Sequence, residues 1–183
     1  MAGNDYKILG VDPGTNVLGY GVIHIKDKQC ALTDLGVLRL GKLDTHYDKL
    51  REIYHSIQDL IEKYQPAHLA IEAPFFGKNV QSMLKLGRAQ GVVMAAGITM
   101  DVPITEYAPK KIKMAVTGNG NASKEQVSAM LCSIFKIKIP ASNLDATDAL
   151  ATALCHHYQR FSTTSKSNNW SSFIKNNPGR LNA

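Results

Sequence analysis

A chain of 183 residues, 44% hydrophobic and 20% charged, has the composition of a soluble globular domain and is long enough to bury a substantial core. Its longest apolar stretch, residues 83–100, is broken by Lys85, Arg88 and Gln90, which argues against a membrane span, and the short apolar run beside Asp5 and Lys7 does not look like a secretion signal. The net charge of +6 and pI near 9.2 are concentrated in the middle: residues 78–138 hold nine basic side chains against three acids, a balance that suits a polyanion as well as it suits a plain solvated surface.

In chain order, residues 6–12 and 19–25 read as strands joined by a turn containing Pro13, Gly14 and Asn16. Residues 30–40 predict a third strand. A helix follows at about 45–64, with Leu50, Ile53, Tyr54, Ile57, Leu60 and Ile61 at three- and four-residue spacing, Thr45 as its cap and Pro66 beyond its end. "AHLAIE", 67–72, reads as a short buried strand ending in an acid. The next helix, 79–99, carries Gly87, Gly91 and Ala95 every four residues, a small-residue stripe where another backbone could approach. Its wide apolar coverage points to burial on more than one side, against the sheet and against a second subunit. A fifth strand is expected at 103–107, then a helix after Pro109, the loop "GNGNAS", a helix at 124–135 and a last helix from about 144 to 160. Three strands followed by alternating helix and strand imply a mixed sheet with helices on both faces.

Residues 1–160 are thus expected to form one domain. Residues 161–183, rich in Ser and Asn, basic and free of acids, are expected to form a flexible tail. Cys30, Cys132 and Cys155 are odd in number and lack metal-ligand spacing, so they read as packing residues in a reducing, cytoplasmic setting. His156 and His157 read the same way, as packing or surface residues.

Asp12 interrupts the most apolar strand of the chain, and Glu72 ends the fourth. Functional groups in open α/β sheets gather at the carboxyl ends of strands, so parallel neighbours would bring these two together. Asp145 and Asp148, three apart at the start of a helix, share one face. Each acid alone has an ordinary explanation as a cap, a first-turn acid, a turn former or a strand-end residue. Together they form a set that would repel strongly without cations, and hard oxygen ligands suit Mg²⁺ or Mn²⁺, commonly as a pair roughly 4 Å apart that supports phosphodiester hydrolysis.

The stretches "GVDPGTNVLGYGVI", "LAIEAPFFGKNVQSMLKLGRAQGVV", "EYAPKKIKMAVTGNGNASKEQVSAML" and "DATDALATALCHH" occur in that order across residues 8–157. They resemble the RuvC Holliday-junction resolvase family of the ribonuclease-H-like nuclease superfamily. The resemblance implies a ribonuclease-H-like five-stranded mixed sheet flanked by helices and a metal-dependent endonuclease. It would act as a homodimer on four-way junction DNA in recombination and repair, alongside RuvA and RuvB branch-migration proteins. It further implies catalytic and metal-binding roles for Asp12, Glu72, Asp145 and Asp148, DNA contacts by Lys113 and Lys124, and base stacking by Phe75. Three other readings compete: a related nuclease for RNA or RNA–DNA hybrids, an actin-like ATPase suggested by "DPGTNVLGYG", and a catalytically silent junction-binding module. The ATPase would need a second domain for which 183 residues leave no room, and the presence of all four acids counts against a silent module.

Overall fold

Strict alternation in the first strand divides the molecule. A computed structural model describes residues 5–27, 29–74, 79–138 and 144–163. Strand β1, Tyr6–Asp12, sends Leu9 and Val11 to one face and Ile8 to the other, all fully buried. It pairs antiparallel with β2, Val17–Lys26, which pairs antiparallel with β3, Gln29–Arg39. On its other side β1 runs parallel to β4, His68–Glu72, and β4 parallel to β5, Ile104–Tyr107, so the strand order is β3-β2-β1-β4-β5. This is the mixed five-stranded sheet expected from the sequence.

One face is covered by α1, His46–Tyr64, and α2, Val80–Thr99. Helix α1 buries the stripe Ile53, Ile57, Leu60, Ile61 and Tyr64; Thr45 accepts a hydrogen bond from the Asp48 amide, and Gln65 closes the far end in the left-handed region before Pro66. The other face carries α3, Pro109–Thr117, α4, Lys124–Phe135, and α5, Leu144–Thr163. Pro109 starts α3 where its missing amide costs nothing, Gly118 ends it at φ 75°, and Ser123 with Gln126 forms a reciprocal capping box for α4. Helix α5 runs three residues past the expected end at 160, and the remaining tail, 164–183, lies outside the described residues.

The central contact is α5 on β1 and β2. Ala146, Ala149, Leu150 and Ala153 of α5 are fully buried against a floor that contains Gly10, Gly19 and Gly21. A Cβ on Gly10 would stand 2.2 Å from the Ala149 carbonyl oxygen, one on Gly19 2.0 Å from that of Asp145, and one on Gly21 2.8 Å from the Leu150 Cα. These glycines are therefore required by close approach, and none of the three obstacles is a flexible side chain.

The small-residue stripe on α2 is left uncovered by the described residues. Ala89, Gln90, Val93, Ala96 and Gly97 form the face that packs inward, while Gly87 and Gly91 have open space around them and Ala95 is exposed. Among the cysteines, Cys155 is buried and Cys30 and Cys132 are partly so, and all three are free thiols.

Gly10→Ala should lower the free energy of unfolding by about 1–3 kcal/mol, because the α5 backbone must move to admit a methyl group. Urea denaturation of the two proteins measures this; a difference below about 0.5 kcal/mol, the range of ordinary surface changes, would mean that α5 is not seated as described.

Candidate active site

Asp12 and Glu72 follow from strand geometry. The β1–β4 register places Val11 opposite Ile71, so the next residue of each strand is an acid. Alternation sends both carboxylates to the α5 face, in line with Ile8 and Gly10 on β1 and Ala70 on β4. Helix α5 begins above them, and its first turn supplies Asp145, with Asp148 one turn further on. One carboxylate oxygen each from Asp12, Asp145 and Asp148 lies within 4.8 Å of the others, and Glu72 lines the same cavity of about 790 Å³.

Burial, and then the charge of neighbouring acids, raises the proton affinity of Asp12, Glu72 and Asp148. Burial first, and then the charge of Asp148, pushes Asp12 up to about 7. Burial followed by Asp12 and Asp148 pushes Glu72 up to about 8. Asp148 is also raised by burial, opposed by Lys124. Asp145 is the most open of the α5 pair, with 45% of its side chain exposed against 14% for Asp148.

Lys124 is the counter-charge in this arrangement. Standing at the start of α4, its ammonium hydrogen-bonds Asp148 and lies 3.8 Å from Asp145. Burial works against its charge, but Asp148, Asp12 and Asp145 together hold its pKa above the ordinary lysine value. One ammonium cannot neutralise four carboxylates. The remaining negative charge, an all-oxygen donor set and oxygens within a few ångströms fit hard divalent cations, which take carboxylate ligands at about 2.0–2.6 Å.

The family resemblance implies DNA contacts by Lys113 and Lys124. Both line the cavity, but Lys124 is engaged with the acids rather than projecting freely. Lys113 acts on the site at longer range, lowering the proton affinity of Glu72 and Asp148. Phe75 falls outside the described residues; Pro74 is the last described residue before it and lines the cavity. Lys110, Gln90 and Asn121 also line the cavity and were not singled out from sequence. Lys110 was legible, since it precedes Lys113 by one turn on the same helix. Gln90 was not, because its role depends on its hydrogen bond to Glu106 of β5.

His156 and His157 are buried, as packing residues should be. His156 shares a hydrogen bond of 2.9 Å with the Tyr107 hydroxyl, and burial, then His68, pushes it down to about 4.

A family model described as crossover junction endodeoxyribonuclease RuvC matches residues 8–156. A protein of that name from Cytophaga hutchinsonii is 57% identical over 177 residues, covering 97% of this chain and 88% of its own length. Another from Porphyromonas gingivalis is 50% identical over 188 residues and covers 99% of this chain and 100% of its own. The structure of Thermus thermophilus RuvC in complex with a Holliday junction substrate is similar at 30% identity and a TM-score of 0.77, over 86% of this chain and 97% of that one.

The raised carboxylates give stability a definite pH dependence in the absence of divalent ions. The unfolded chain releases the Asp12 and Glu72 protons near their ordinary values of 3.8 and 4.5, whereas the folded chain holds them to about 7 and 8. Folding therefore takes up protons in that window, and this part of the stability is lost as pH rises from about 4 to 8. In EDTA, Asp12→Asn should melt a few degrees above the wild type, with the margin widening from pH 5 to pH 8. Thermal unfolding followed by circular dichroism would show it, and a margin independent of pH would contradict the described coupling.

Proposed function

The chain belongs to the RuvC family of crossover junction endodeoxyribonucleases, and from that premise we propose how its residues divide the work of cutting a four-way DNA junction. The enzyme is a structure-specific endonuclease that resolves Holliday junctions by hydrolysing phosphodiester bonds in recombination and repair. The observation that carries the assignment of the site is the convergence of Asp12, Asp145 and Asp148 in a cavity also lined by Glu72 and three lysines.

Asp12, Glu72, Asp145 and Asp148 hold Mg²⁺, for which Mn²⁺ substitutes, with two ions per site as the arrangement that uses all four acids. Divalent cations held by these acids would supply Lewis acidity for phosphodiester hydrolysis. The protein contributes rigidity: Asp12 and Glu72 are anchored on adjacent parallel strands, and Asp145 and Asp148 on a helix seated directly on them. Lys113, with Lys110 one turn before it, draws the phosphate backbone over the acids. Lys124 compensates the α5 acids and stands where a phosphate bound to the site would also meet it. Phe75 is the residue that would stack on a base near the junction centre, an interaction worth roughly 1–3 kcal/mol per base.

Two cuts on strands of like polarity require two such sites, and a two-fold homodimer matches the symmetry of an open junction. The open face of α2 supports this assembly. Val80, Leu84 and Ile98 are 67%, 51% and 67% exposed, and Gly87, Gly91 and Ala95 lie between them along the same side. A second copy would cover that apolar stripe and approach closely at the glycines. RuvA and RuvB are the partners that the family resemblance implies, and the cytoplasm is the compartment in which they would meet. No described helix is long and apolar enough to cross a membrane.

The direct test incubates the protein with a labelled synthetic four-way junction in Mg²⁺ and in EDTA, beside linear duplex, an RNA–DNA hybrid and the Asp145→Asn variant. Paired, Mg²⁺-dependent cuts confined to the junction are expected, with a loss of at least about a hundredfold in the variant, in line with the loss of a transition-state charge stabiliser. Cleavage of the hybrid alone would retain the metal site and discard the substrate. For the dimer, Leu84→Glu should yield a monomer in sedimentation velocity and convert paired cuts to single nicks; an unchanged dimer would move the interface elsewhere.

A further inference from the structure

On the far side of the β1–β2 turn lies a second cavity of about 410 Å³, lined by Thr15, Asn16, His46, Lys49, Ser82 and Lys85, with Asp44 as its one acid and Leu86 shared with the catalytic cavity. The turn itself is the common wall. Pro13 and Gly14 face the carboxylates, and the next two residues, Thr15 and Asn16, face the second cavity. The two cavities are therefore neighbours on either side of this turn.

Its lining is cationic and rich in donors. Among the described residues neither Lys49 nor Lys85 is paired with a carboxylate; Lys49 donates instead to the Asn16 side chain at 3.0 Å, which ties α1 to the turn. Arg88, one turn beyond Lys85, adds its field, and it too lacks an acidic partner among the described residues. His46 lines the cavity, and its ring nitrogen Nε2 is buried with no hydrogen-bond partner among the described residues. Both flanking helices present their positive ends here: His46 and Lys49 lie in the opening turns of α1, and Ser82 and Lys85 in those of α2. Cations crowded together without acidic partners and beside helix starts favour an anion.

Resting on the reading of the enzyme as a junction endonuclease, we propose that this cavity binds a backbone phosphate of the cleaved DNA strand, on the opposite side of the β1–β2 turn from the scissile one. Lys49 and Lys85 supply the charge, and Asn16, Ser82 and His46 the donors. The scissile phosphate is then held between two fixed points on one strand, Lys113 on one side and this subsite on the other. Alignment over the carboxylates depends on both.

The test uses full-length protein carrying Asp145→Asn, so that junctions are bound and not cut, with Lys85→Ala and Lys49→Ala added singly. The slope of log affinity against log salt should fall by about 0.9 for each lysine removed. Neutral methylphosphonate linkages are then placed singly along the cleaved strand on both sides of the cut. At one position the linkage should weaken the parent protein severalfold and leave the Lys85→Ala protein unaffected. An unchanged salt slope, or a penalty that is the same for both proteins at every position, overturns the subsite. Failure of the protein with Asp145 intact to cut the junction in Mg²⁺ would instead bring down the underlying reading of function, and the subsite with it.

Discussion

The direct seating of α5 on β1 and β2 is the contact on which the rest of the site depends. Side chains ordinarily separate a helix from a sheet. Here glycine on the strands meets alanine on the helix, and the helix backbone comes within reach of the strand backbone. That shortened separation is what allows Asp145 and Asp148, short side chains near the start of α5, to share oxygens within 4.8 Å with Asp12 on the strand below. A larger residue at any of the three floor positions lifts the helix, and with it half of the carboxylate set.

Holding these acids together works against the stability of the fold. Two of them sit well above the ordinary carboxylate range, chiefly because burial disfavours their charge and secondarily because they repel each other. Lys124 offsets part of this, and its position at the capped start of α4 fixes the ammonium from a third element of structure. The conflict is localised: the two apolar clusters on either side of the sheet are filled by Ile, Leu, Val and Ala in continuous contact. A large, regular core of this kind tolerates a strained corner, where a small domain would not.

Most of this was legible in the sequence because it rests on local patterns. Alternation and helical spacing located the five strands and five helices, and Thr45, Pro66 and Pro109 marked some of their ends. The expectation that Asp12 and Glu72 would meet depended on parallel pairing, which a five-residue strand flanked by long helices makes natural. Three features could not be read. Gly10, Gly19 and Gly21 look like permissive strand glycines until α5, far along the chain, is laid across them. The α2 stripe has the spacing of a close-packing surface, and nothing in the spacing says whether the surface that meets it belongs to the same chain. Lys124 follows a glycine-rich loop as a phosphate-binding lysine would, and its engagement with Asp148 appears only when α4 and α5 are brought side by side.

The order of the elements has a bearing on how the protein is made. Asp12 and Glu72 lie on strands that leave the ribosome early, whereas Asp145 and Asp148 lie on the last described helix. Chains emerge from their amino end, and long-range contacts form only when both partners are present. A nascent or prematurely terminated chain that stops short of Leu144 holds at most half of the acid set and lacks the helix that covers the glycine floor. Such a fragment carries no complete carboxylate set. The order of the elements alone thus makes the carboxylate cluster one of the last features of the fold to be completed.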